Sequence, residues 1–407
     1  MGEPKLRVGN DNTYATIWEW ELRGTNRDIG RDIASYGRDQ LGILPMPCPD
    51  ADRIRAQRSF LNRYFRPLYE RMVGVGDAFG LSMDEPTHDL ATLWFDVQLP
   101  GCSAAYVPAS RMEGGHAHVV RNMDLGVDLT GDVEHPSSSR ILALTMVPDE
   151  GYASTSAIVF DLLGAMDGIN EKGLVVICNS HGDYRLVGDF QPTPAYRYEP
   201  VSHPEPGLNE LQVVRYVLDM CADVDEAQEA LLSLRTYYGF TPCLYLIADA
   251  RGRSVVLEKS PAGNRIVLTE REGEPRVLTN FAPSRFENDS ELPEEDGHKQ
   301  GFMYTRYRIV QRGIERTASL SPSCLAEIAR EASFDVLCAP KTENDVHPDR
   351  TVYTAIYDIE ARSMLVSCYL GESEAGTRHS EPATFVLGGH QEAQQAKQVI
   401  PLSGTHP

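Results

Sequence analysis

Apolar residues between positions 27 and 89 recur at helical intervals. Ile29, Ile33 and Leu41 mark one side of a first segment. Phe60, Leu61, Tyr64, Phe65, Leu68, Tyr69 and Met72 then follow at steps of i, i+1, i+4, i+5 and i+8, the stripe of an amphipathic helix. From position 102 the pattern changes to short β-prone runs. Residues 103–107 and 117–120 read as strands around Glu113-Gly114-Gly115, a hairpin turn. Residues 140–147, 157–160 and 174–178 read as further strands, the last two around a turn at Gly168–Gly173. Asn209 caps a helix whose face carries Leu211, Val214, Val217, Leu218 and Cys221, and a second helix opens at Val224. Strands resume at 243–248, 254–258 and 276–279, and a late hairpin covers 351–357 and 364–369.

Hairpins with inserted helix pairs predict a layered α+β fold. Residues 191–207 carry five prolines and read as an irregular loop, and the acidic stretch 287–296 reads as a solvated one. The run Gly74-Val75-Gly76-Asp77-Ala78-Phe79-Gly80 looks like a dinucleotide loop at a glance. It ends a helix where such a loop follows a strand, so a helix exit or a close helix contact is the expectation.

The chain has 407 residues, 42% of them hydrophobic and 24% charged, enough for a real core. A net charge of −21 argues against nucleic acid and anionic membranes as partners. The start has no apolar secretory stretch and no run approaches 18 apolar residues. Eight cysteines without a CxxC pair read as reduced thiols, and a cytoplasmic location is expected. His116-x-His118 puts two imidazoles on one strand face, but no partner carboxylate is visible in sequence, so no metal and no cofactor are expected. Ser180-His181-Gly182-Asp183 is not a triad, because triad members meet in space and seldom adjoin in sequence.

Cys102 follows Gly101, and Arg121-Asn122-Met123-Asp124 lies nineteen residues on. Cleavage between Gly101 and Cys102 would give the cysteine a free α-amine and so its own base. Together with Gly168-Ile169-Asn170-Glu171-Lys172-Gly173-Leu174, Leu278-Thr279-Asn280-Phe281, Thr305-Arg306-Tyr307 and Val352–Asp358, these motifs stand in family order. The chain resembles the choloylglycine-hydrolase and penicillin-acyltransferase branch of the Ntn (N-terminal nucleophile) hydrolases, the self-cleaving isopenicillin N acyltransferase-like group included.

The resemblance implies a four-layer αββα sandwich of two antiparallel sheets. It implies a mainly helical leader at 1–101, a catalytic domain at 102–387 and a tail at 388–407. Cys102 would be the nucleophile, with Gly101-Cys102 as the self-cleavage site. Arg121 and Arg306 would supply positive charge near the thiolate. Asp124 would hold the α-ammonium from a turn past the end of its strand, since residues three apart on a strand face opposite ways. Asn280 would donate its amide to the oxyanion and Asn179 would complete that hole. The substrate would be an acyl amide or an acyl thioester, split by water or passed to an amine, and the two fragments would stay associated, with homo-oligomerisation left open. The rival expectation is a catalytically idle relative that kept the scaffold as a binding protein.

Overall fold

A computed structural model of the chain describes residues 2–94, 101–127, 139–182, 206–237, 239, 241–259, 266–294, 296–297, 301–338, 349–374 and 376–388. The chain opens on two antiparallel strands, β1 (Lys5–Val8) and β2 (Thr16–Gly24), that the periodicity analysis leaves unassigned. The expected leader helices follow as α1 (Asn26–Leu41), α2 (Ala51–Tyr64) and α3 (Arg66–Phe79), with the short β3 (Met46–Pro47) between the first two. Thr25 caps α1 by accepting from the Asp28 N–H at 3.1 Å. The glycines of 74–80 serve a close helix contact and a helix exit. A Cβ on Gly74 would lie 2.0 Å from the Arg27 carbonyl oxygen of α1, and one on Gly30 would lie 2.1 Å from that of Arg71. Gly80 ends α3 in the left-handed conformation, with φ 65°.

After β4 (His88–Asp89) come β5 (Gly101–Val107), β6 (His118–Gly126), β7 (Arg140–Pro148), β8 (Ser154–Ile158), β9 (Asp167–Asn170) and β10 (Val175–Ser180). Helices α4 (Glu210–Met220) and α5 (Val224–Ser233) precede β11 (Cys243–Ala248), β12 (Arg253–Lys259), β13 (Ile266–Glu272) and β14 (Arg276–Leu278). Helices α6 (Met303–Glu315), α7 (Pro322–Glu331) and α8 (Phe334–Leu337) precede β15 (Asp349–Asp358), β16 (Ser363–Ser373), β17 (Gly376–His379) and β18 (Ala383–Val386). Most of the 191–207 stretch and the tail beyond Gly388 lie outside the described residues.

One sheet has nine strands, ordered β1-β2-β7-β8-β9-β10-β11-β12-β13, and the other runs β14-β5-β6-β15-β16-β17 with β18 also on β16. Alternation along each strand sorts the core into layers. Val176 and Cys178 of β10 pack among the buried faces of α1, α3 and α4. Val175 and Ile177, one step away, meet Val119 and Met123 of β6 between the sheets. Val120 of β6 turns outward to Val310, Ile314 and Ile328 of α6 and α7. The order helix, sheet, sheet, helix is the expected αββα sandwich.

Residues 1–101 are built into the sheet as well as packed on it. Strand β2 pairs in parallel with β7, from Thr16 opposite Arg140 to Gly24 opposite Pro148, so the leader supplies an inner strand of the larger sheet. Among the described residues no helix is long and apolar enough to cross a membrane.

Candidate active site

Cys102 is the second residue of β5, opposite Met123 of β6, and its side chain is fully buried between the sheets. Arg121 lies two residues from Met123 and so shares that face. Its Nη2 donates to Cys102 Sγ at 3.1 Å and to the Cys178 carbonyl at 3.2 Å. Its Nη1 donates to the Tyr353 hydroxyl at 2.5 Å and pairs with the Asp167 carboxylate. Tyr353 also donates to Asp167 at 2.6 Å, and Tyr357 donates to its second oxygen. This clamp of Asp167, Tyr353 and Tyr357 is absent from the sequence-based expectation. A signal existed: two tyrosines four apart on a strand share one face, and Asp167 is a lone acid in an apolar run.

Asp124 faces the other way, toward the outer helices. The structure corrects its position, because it lies inside β6 and not on a turn beyond it. A bulge in β15 shifts the register here by one residue, so that Thr351 opposes Asp124 and Tyr353 opposes Met123. Arg306, in the first turns of α6, donates from Nη1 to Asp124 Oδ2 at 3.0 Å, and Thr351 donates to Oδ1. Arg306 Nη2 donates to Asn280 Oδ1 at 2.5 Å, and the same oxygen accepts the Cys102 N–H at 3.0 Å. Two donors on one atom fix the amide orientation of Asn280. Arg306 is therefore linked to the Cys102 backbone nitrogen through Asn280 Oδ1.

Asn280 Nδ2 donates to the Ser180 carbonyl at 2.6 Å and to its hydroxyl at 3.1 Å, so in the intact chain its amide is not turned toward an oxyanion. Asn179 sits one residue earlier on β10, donating to the carbonyls of Leu278 and Thr279, both at 3.2 Å. Its Oδ1 is buried and makes no hydrogen bond among the described residues. Gly101 is needed for space. Its backbone avoids the left-handed region, but a Cβ there would lie 2.9 Å from Phe334 Cζ and 3.3 Å from Asp124 Cβ.

Burial pushes the Cys102 thiol up, Arg121 pulls it back, and Asp124 adds to the rise. Burial works against the Arg121 charge, but Tyr353, Cys102 and Asp167 outweigh it and hold the guanidinium well above its ordinary value. Burial also lifts the Asp124 carboxyl to about 6, against the pull of Arg306 and Thr351. Among the described residues, no cluster of metal-ligating side chains lies at Cys102.

Residues 111–372 match the family model of the acyl-coenzyme A:6-aminopenicillanic acid acyl-transferases. The chain belongs to that family. As an acyl-transferase family member it falls within the Ntn hydrolases, whose reactions are amide cleavage and acyl transfer. The match spans Arg121, Asp124, Asn179, Asn280 and Arg306 but starts after Cys102, so the case for the nucleophile is geometric. No curated protein matches the chain.

Solved structures resembling it include a penicillin V acylase from Agrobacterium tumefaciens, with 16% identity over 68% of this chain and 84% of that one and a TM-score of 0.40. A mutant of a conjugated bile acid hydrolase from Clostridium perfringens gives 16%, 72%, 97% and 0.44 in the same order. An N-acylethanolamine-hydrolyzing acid amidase ortholog from Caenorhabditis elegans gives 14%, 70%, 100% and 0.37. Likeness at this level says nothing of this chain's substrate.

Proposed function

We propose that the protein is a self-processing cysteine amidohydrolase or acyltransferase that works through a thioester on Cys102. The carrying observation is the Arg121 guanidinium 3.1 Å from Cys102 Sγ, with the backbone nitrogen of the same residue held by Asn280. Processing begins with attack of the sulfur on the Gly101 carbonyl. The peptide C–N bond breaks, a thioester forms and the thiol proton passes to the departing nitrogen. Water then cleaves the thioester, leaving a Gly101 carboxylate and a Cys102 with free thiol and amine.

The second half uses the new terminus. A free α-amine has a pKa of about 7.7–8.0 and a thiol one of about 8.5, so proton transfer between them costs little near neutrality. The thiolate, held by Arg121, attacks a linear non-peptide amide or an acyl thioester. The α-ammonium protonates the leaving group, and water or an acceptor amine releases the acyl chain. Asp124 lies opposite Gly101, so loss of that peptide link leaves its carboxylate beside the new ammonium, with Asn280 Oδ1 as a second acceptor. Asn280 Nδ2 and Asn179 are the oxyanion donors in this reading, and Asn280 must exchange Ser180 for the oxyanion.

Processing is tested on a denaturing gel. Wild type should run as a leader of 101 residues and a body of 306 (407 minus 101), and Cys102→Ala should stay whole. Intact mass after incubation with acyl amides and acyl thioesters should show an adduct on the fragment starting at Cys102. An uncut wild type that turns over neither class would favour the idle scaffold.

A further inference from the structure

The histidine pair set aside in the sequence finds its missing carboxylates across the sheet. His118 opens β6 and stands directly opposite Asp358, the last residue of β15. The pairing continues one step further, because Ile359 N–H donates to the Ala117 carbonyl at 3.0 Å. Ala117, Val119, Tyr357 and Ile359 all point between the sheets. By strand alternation His118 and Asp358 share the opposite face, and His116 just before β6 and Glu360 just after β15 lie beside them.

The distances suit an ion. His116 Nδ1 lies 2.9 Å from Asp358 Oδ2, and His118 Nε2 lies 3.7 Å from the same oxygen. His116, Asp358 and Glu360 each place a ligand atom within 4.8 Å of the other two. Zinc bonds to imidazole and carboxylate of about 2.0–2.2 Å set ligand atoms on one tetrahedral ion about 3.3 Å apart. The two imidazole distances to Asp358 Oδ2 bracket that value.

The His118 ring is also oriented as a ligand. It is only 4% exposed, and its Nδ1 donates to the His116 carbonyl at 2.9 Å. That bond makes Nδ1 the donor and turns Nε2 to the side of the Asp358 carboxylate, 3.7 Å away. Glu360 is oriented as well, accepting the Ala117 N–H at 2.7 Å through one oxygen and keeping the other for a ligand.

We propose that His116, His118, Asp358 and Glu360 bind one divalent transition ion of the zinc class. Imidazole with carboxylate suits zinc, cobalt and nickel better than calcium or magnesium, which take oxygen alone. The ion would join the loop before β6 to the end of β15. Cys102 lies opposite Met123, five residues along β6, so the two sites stand about 17 Å apart at about 3.3 Å per residue. The ion would therefore be structural, with no part in the cysteine chemistry.

Calorimetric titration of zinc into the full chain tests this. One saturable site per chain is expected, and it should persist in Cys102→Ala, which removes the reactive sulfur. His118→Ala and Asp358→Ala should each weaken binding about tenfold or more, the scale of losing an orienting or ligating group. Should either variant unfold, the exposed Glu360→Gln provides the second measurement and should also bind more weakly. Cobalt(II) absorption should report imidazole and carboxylate ligation in wild type and lose its bands in these variants. Absence of a saturable site, or an affinity unchanged in the folded variants, overturns the proposal.

Discussion

Arg121 touches the sulfur with one nitrogen and a tyrosine and a carboxylate with the other. A lysine has one compact charge and cannot span these partners at once. Arg121→Lys should lower acyl turnover by about 10²–10³, the usual scale for one preorganised donor at a reacting charge, and single-turnover kinetics would measure it. In the proposed role Asp124 sets a pH dependence. Its carboxyl is lifted to about 6, so its ion pair with Arg306 exists above that pH and dissolves below it. Processing of the uncut chain should rise as pH increases through about 6, and Asp124→Asn should lose the inflection. A wild-type profile flat between pH 5 and 7 would contradict this role. The proximity of Cys102 and Arg121 was foreshadowed in sequence because each sits in a short motif. Asp167 was not, because β9 and β15 belong to different sheets and only their stacking brings it to Tyr353.

Residues 1–101 are bound to the rest of the chain by more than helix packing. Strand β2 lies between β1 and β7, and Arg71 of α3 donates to Asp219 of α4 at 2.6 Å with both groups fully buried. Removing one partner of such a pair strands a buried charge, at a cost of about 3–5 kcal/mol. Arg215 lies 3.5 Å from the other oxygen of Asp219, so Arg71→Ala should fall at the low end of that range in a denaturant melt. The alternation Trp18-Glu19-Trp20-Glu21-Leu22 has the period of a strand, and its even positions pack on the leader helices. What local sequence could not supply is its partner, since β7 begins well over a hundred residues later and pairs in parallel. Turn chemistry was easier to read. Asn170 Oδ1 accepts from the N–H groups of Lys172 and Leu174, as its place before Gly173 suggests.

Across the whole molecule, two stacked sheets between helical layers follow from hairpins alternating with helix pairs. Strand order does not, because hydrophobic alternation tells a strand which face to bury and not which neighbour to take. The same limit hid the four-residue cluster at the far end of β6, whose halves lie more than 200 residues apart in sequence. Because β2 and β7 share a sheet, the two products of processing should co-elute under native conditions and part only in denaturant; size-exclusion chromatography would check this.

The parallel seam between β2 and β7 also constrains how the protein can be made. A shortcut that begins translation at position 102 would supply the amino-terminal cysteine once the initiator is trimmed, with no processing at all. It would also strip one flank of β7 bare, uncovering Leu142, Leu144 and Met146 and a row of unsatisfied amides. Such a truncated protein should accumulate as aggregates, and co-expression of residues 1–101 as a separate chain should return it to solution.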